Sequence, residues 1–112
     1  ANRVSRYAQG LQGKYGYARV GLLASAGAAD SLRSLREKYP GLFLLADGLD
    51  YPSANLKNVS LAFDKLGRGA AYCAGEMVTL AWRQKPDMDP VEAALVEVQR
   101  QQKGLGRYLT FL

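Results

Sequence analysis

The sequence predicts an α/β protein built of βα units around a parallel sheet, and three observations predict it. Two short, nearly continuous apolar runs, RVGLLAS and LFLLA, are bounded by turn residues, as strands covered on both faces require. Between and after them lie segments whose apolar residues recur three and four apart. The two kinds of segment alternate along the chain, which implies parallel strands joined by right-handed helical crossovers.

Taken in order, residues 3–14 place Val4, Tyr7, Ala8 and Leu11 on one helical stripe, stopped by Gly13 and Gly16. Residues 19–25 form the first strand. AADSLRSLREKYPG follows as a surface helix, with Leu32 and Leu35 one turn apart, Arg33 four residues before Glu37, and Pro40-Gly41 as its stop. Residues 42–46 form the second strand. Leu56, Val59, Phe63 and Leu66 then predict a helix over residues 55–66, ended by Gly67 and Gly69. AAYCA, residues 70–74, is a third and shorter strand, with Cys73 as a small buried residue within it. GEMVTLAWRQ turns helical, with Met77 and Trp82 at core spacing beside Val78 and Ala81. Asp89 caps a last helix that Pro90 opens and that runs to about Gln102. The closing KGLGRYLTFL is apolar enough to dock on the body or on a partner.

A chain of 112 residues, 48% of them hydrophobic, makes one α/β domain and not two. Three strands make a narrow sheet, however, and both parallel edges would offer unpaired backbone groups. Completion by a second chain or another copy is therefore expected. No apolar run reaches the roughly 18 to 20 residues of a membrane span, and the first ten residues lack the apolar centre of a secretory signal. A cytoplasmic location is expected, consistent with a single cysteine that has no internal partner. With no histidine, Ser-His triads and ordinary zinc sites are excluded within the chain, and neither a metal nor a cofactor is expected. Any acid–base chemistry falls to carboxylates, lysine, tyrosine or the thiol. The net charge of +5 is scattered, which fits a solvated basic surface first and an anionic small ligand or acidic partner second; nucleic acid is not expected.

Parallel sheets gather ligands outside the carboxyl ends of their strands. Of the three such ends, the loop from Asp47 through Asn55 is the richest. Asp47, Gly48, Asp50, Tyr51, Ser53 and Asn55 follow five apolar residues directly, and the loop is longer than a turn and a helix cap need. The acids suit a polar ligand group, while Ser53 and Asn55 serve equally well as N-caps of the next helix. At the third end Gly75 permits close backbone approach at a helix N-terminus, a phosphate-like site, but Glu76 beside it opposes an anion. Asn58-Val59-Ser60 has the form of a glycosylation sequon but falls on an expected helix.

The succession YARVGLLASAGAADSLRSLREKYPGLFLLADGLDYPSAN, then LGRGAAYCAGEMV, then DPVEAALVEVQRQ, resembles the C-terminal half of orotidine 5'-phosphate decarboxylase-type (β/α)8 barrels, over residues 7–102. VGLLASA, LFLLADGLDYPSAN and AAYCAGEM stand where that family has its last strands and their loops. The resemblance implies half of a TIM-type barrel and a lyase that breaks a carbon–carbon bond. It implies that Gly48 and Gly75 supply phosphate-binding backbone amides, while Glu76 stands at the position of the family's arginine. The family's catalytic Asp and Lys array has no counterpart here, so a partner chain or missing segment would supply it. The implied function is the ligand-binding half of a decarboxylase acting on a small metabolite, phosphorylated or not. The competing expectation is a non-catalytic α/β subunit whose polar loop only caps a helix.

Overall fold

A computed structural model describes residues 2–49 and 54–109. The expected Asp50, Tyr51 and Ser53 contacts, and the last three residues of the apolar tail, lie outside them. The described chain runs α1 (Asn2–Ala8), β1 (Gly21–Ser25), α2 (Ala29–Lys38), β2 (Phe43–Asp47), α3 (Leu56–Ser60), β3 (Ala70–Tyr72), α4 (Glu76–Thr79), a single 3-10 turn over Ala81–Gln84, and α5 (Pro90–Gly106). The three strands are parallel and lie in sequence order, β1 beside β2 beside β3. The α/β class and parallel sheet are thus as expected, although a half-barrel is a finer statement than this sheet alone makes.

Several boundaries differ from expectation, each for a local reason. The first helix stops at Ala8 rather than near residue 14, because Gly10 turns the chain at φ 77° and Gln12 pairs antiparallel with Ala18. The helix expected over residues 55–66 stops at Ser60. Beyond it the Asp64 carboxylate accepts from the backbone N–H groups of Leu66 and Arg68, both at 2.9 Å, offering the backbone a turn in place of helix. The segment after β3 is four helical residues and then a 3-10 turn, and Trp82 there is 42% exposed, with the Arg83 guanidinium over its ring at 5.7 Å, instead of lying in the core. The last helix instead runs past its expected end to Gly106. Gly104 lets it do so against α3, since a Cβ there would stand 2.7 Å from Leu56 Cδ1.

The core lies on one side of the sheet only. Leu22, Ala24, Leu44, Ala46 and Ala70 alternate toward Leu32 of α2, Val59 of α3, Ala62 and Leu105 of α5. Among the described residues the other side is largely open. Leu23 is 62% exposed, Phe43 40% and Leu45 37%, so the expectation of strands covered on both faces is corrected. A continuous apolar run says that both faces are apolar and cannot say that both are covered. The radius of gyration is 15.4 Å, against about 13 Å for a compact domain of this length.

The amino end of the sheet is held by Arg36, which is only 8% exposed. Its guanidinium donates to four backbone carbonyls: Ala62 at 2.7 Å, Gly69 at 2.7 Å, Leu42 at 3.1 Å and Pro40 at 3.2 Å. Beside it Tyr17 donates to Asp64 and meets Phe43 edge-on, ring centroids 6.4 Å apart. Burial and the Asp64 hydrogen bond push the Tyr17 hydroxyl up; burial pushes the Arg36 guanidinium down. For Asp64, burial acts upward, but the hydrogen bonds from Tyr17, Arg68 and Leu66 outweigh it and hold the carboxyl low.

Candidate functional site

The carboxyl ends of the strands assemble a polar rim on the open face. Because side chains alternate along each strand, Gly21, Leu23 and Ser25 of β1 face the same way as Phe43, Leu45 and Asp47 of β2 and Ala71 of β3. The register pairs Leu23 with Leu45 and Ser25 with Asp47. Leu45 pairs in turn with Ala71, and Cys73 N–H donates to Ala46 O at 2.8 Å, which continues the ladder and sets Cys73 beside Asp47. From amino to carboxyl end the face therefore changes from aromatic and aliphatic to Ser25, Asp47 and Cys73. Cys73 lies one residue past β3 and is half-buried rather than enclosed in a strand.

Sequence reasoning singled out Asp47, and it placed Ser25 at the carboxyl end of the first strand and Cys73 inside the third without joining either to Asp47. The signal was the shared step of two residues that carries Leu23 to Ser25, Leu45 to Asp47 and Ala71 to Cys73.

Around the rim, turns are shaped by short-range hydrogen bonds. Gly48 adopts φ 81° and donates its N–H to Asp47 Oδ1 at 2.8 Å, after which Leu49 turns back into the core. Ala26 N–H donates to Asp47 O at 2.7 Å, and Gly27 N–H to Ser25 Oγ at 3.2 Å. Asn55 caps α3 by accepting from Asn58 N–H at 2.8 Å, one of the two roles its type allowed. Asn58 of the sequon is a structural residue on α3, its amide donating to Ala26 O at 3.2 Å and so tying α3 to the β1 turn. Gly75 sits at φ 55° and ψ −132°, a backbone that side-chain-bearing residues avoid, although open space surrounds it. Glu76 is exposed and begins α4. With four residues, α4 carries little of the dipole that a phosphate at its N-terminus would use.

The expected residues are thus brought together in part. Asp47 and Gly48 stand at the centre of the rim, Gly75 and Glu76 follow two and three residues after Cys73, and Asn55 is engaged in its cap. Among the described residues no group of three or more Cys, Asp or Glu side chains could hold a metal ion, and no helix is long and apolar enough to cross a membrane. A cavity of about 380 Å³ lies at the opposite, amino end, lined among others by Ser5, Gln9, Gln12, Lys38 and Tyr39.

Away from the rim, β3 is tied to α5 by a polar chain that the sequence did not announce. Tyr72 donates to Gln101 Oε1 at 3.0 Å, Gln101 Nε2 to Glu97 Oε1 at 2.9 Å, and Arg100 grips both Glu97 oxygens at 2.5 and 2.9 Å. The Arg100 hydrogen bond dominates in holding the Glu97 carboxyl down to about 2, and burial pushes the Tyr72 hydroxyl up. No family model matches the chain, and no curated protein matches it.

Proposed function

We propose that this chain is the ligand-binding half of a decarboxylase-like β/α barrel, a lyase completed by another polypeptide that carries the catalytic Asp and Lys groups. One observation carries the reading. Among the described residues the sheet has consecutive parallel strands, α2, α3 and α5 packed on one face, and an opposite face graded from apolar at the amino end to Ser25, Asp47 and Cys73 at the carboxyl end. The interior of a β/α barrel has these properties: a packed apolar floor, and a polar mouth where ligands bind. In this reading Asp47 accepts from ligand hydroxyl or amide groups, and Gly48 and Gly75 bring backbone N–H groups to a phosphoryl or carboxyl group. Asp50, Tyr51, Ser53 and Asn55 extend the same loop, and Glu76 narrows the choice of anion.

The test is titration of the isotope-labelled chain with orotidine 5'-phosphate and, separately, inorganic phosphate, followed by amide NMR. Shifts at Ser25, Gly48 and Gly75 are expected, lost in Asp47→Ala with Asp50→Ala while thermal stability is kept. Loss of stability without loss of binding would count against the site. A second reading, a non-catalytic α/β subunit, is favoured by the engagement of Asn55 in its cap and of Asp47 Oδ1 by Gly48 N–H. It expects no amide shifts at the rim with either probe.

A further inference from the structure

We infer that the cavity at the amino end of the sheet is a binding site for a sugar acid, a polyhydroxylated ring carrying one carboxylate. It lies at the opposite end from the rim, and the inference does not depend on the half-barrel reading. Helical spacing brings Asn2, Ser5 and the following Gln9 to one side of α1. There Asn2 Oδ1 accepts from the Tyr39 hydroxyl, tying α1 to the end of α2, while Ser5 and Gln9 line the cavity. Gly10 then reverses the chain at φ 77°, and the Gln12 carboxamide comes to lie over the turn before β2, where a Cβ at Gly41 would stand 3.4 Å from Gln12 Nε2. Lys38, the last residue of α2, completes the polar lining.

Four polar side chains therefore converge on about 380 Å³ of space with no protein group to bind. Among the described residues, Ser5, Gln9, Gln12 and Lys38 make no side-chain hydrogen bond and no ion pair. None of them takes part in the Arg36, Tyr17 and Asp64 bonds that hold this end of the sheet. The site can be altered without loosening the fold around it.

The residue types set the ligand. Lys38 is the one charged residue lining the cavity, and Glu37 beside it in sequence lines a separate one. An ammonium without a counter-ion is a point charge with three donors, and it calls for one anionic group. A phosphate monoester brings a charge of about −1.5 to −2 at neutral pH. A carboxylate brings a single charge, which a lone lysine balances. The hydroxyl of Ser5 and the carboxamides of Gln9 and Gln12 each donate and accept, as the hydroxyls of a sugar do. Ala8, Pro40 and Leu42, with the Tyr39 ring, supply the apolar part of the lining against which C–H groups can rest. The volume stands near the lower end of the range of about 300–1,000 Å³ for small-molecule sites, which suits a single ring.

Titration of the intact chain with sodium D-glucuronate, against sodium chloride at equal ionic strength and followed by amide NMR, tests the inference. Saturable shifts are expected at Ser5, Gln9, Gln12 and Lys38 and in the two glutamine side-chain amides, with Ser25, Gly48 and Gly75 unmoved. Glucose, which lacks the carboxylate, and glucose 6-phosphate, which carries the larger charge, should each bind more weakly. Lys38→Met should weaken glucuronate binding about tenfold or more. Gln9→Ala should weaken it to a smaller degree, and Lys14→Met, outside the cavity, should leave it unchanged. Because Lys38 and Gln9 are exposed, both variants should keep the wild-type melting temperature. Absence of saturable shifts at the cavity, undiminished binding by Lys38→Met, or shifts confined to the rim overturns the inference. Tighter binding of glucose 6-phosphate overturns it too, since the site would then be one for phosphate esters. Rim shifts with inorganic phosphate bear on the decarboxylase-like reading alone, so the two proposals fail separately.

Discussion

The two ends of the sheet are built on opposite plans. At the amino end, hydrogen bonds join residues far apart in sequence: Arg36 reaches Ala62 and Gly69, 26 and 33 positions away, and Tyr17 reaches Asp64, 47 away. At the carboxyl end the side chains of Ser25, Asp47 and Asn55 reach N–H groups one to three positions away, and among the described residues the longer side-chain reaches are Asn58 to Ala26 and, from the last residue of β3, Tyr72 to Gln101. Long-range bonds fix the relation between elements, while short-range ones fix only the shape of a turn. The amino end therefore carries stability, and the carboxyl end is left free to be altered for a ligand.

Substitutions should separate the two ends by magnitude. The largest effect is expected of Arg36→Leu, which removes four hydrogen bonds to backbone carbonyls, three of them buried, and should cost about 3–5 kcal/mol in urea unfolding. Arg36→Lys, with its charge and fewer directed donors, should recover only part of that. Next comes Gly69→Ala. Gly69 lies at φ 85°, and a Cβ would stand 2.7 to 2.9 Å from Tyr17 ring and hydroxyl atoms. Because the Tyr17 hydroxyl is held by Asp64, about 2 kcal/mol should be lost.

Smaller still is the contribution of Glu97, whose folded pKa of about 2 lies below its ordinary 4.5. A depressed carboxyl stabilises the fold above its unfolded pKa, and that contribution fades as pH falls from about 4.5 toward 2. With Arg100 open to solvent, screening leaves about 1 kcal/mol, which a pH series of melting temperatures on wild type and Glu97→Gln should show as converging curves at low pH. Least of all, Asp47→Ala should change stability by less than about 0.5 kcal/mol. A loss of several kcal/mol there would erase the contrast between the ends.

Much of this plan was legible in the sequence, and what was not has identifiable causes. The β1 and β2 runs and the Asp89 cap with Pro90 are strong local signals, and their elements formed within one or two residues of expectation at those ends. The α3 boundary failed because Asp64 satisfies backbone donors itself, a competition that apolar spacing cannot register. Arg36 passed as surface charge although it sits four residues after Leu32, on the stripe that α2 buries. Gln101 likewise continues the buried row of Ala93 and Leu105. In both, a polar residue on the apolar stripe was the clue. The rim was half legible: its acid was conspicuous, whereas Ser25 and Cys73 become part of it only through strand register.

Arg36 also bears on the order of events in folding. Its carbonyl partners include Leu42, at the entry to β2, and Gly69, at the entry to β3, so its bonds cannot all form until both strand crossovers have closed. The β1–β2 and β2–β3 units could otherwise melt separately, each with its own helix. A single guanidinium shared between them couples the two openings, so that the chain unfolds as one cooperative unit, and its removal should speed unfolding far more than it slows folding.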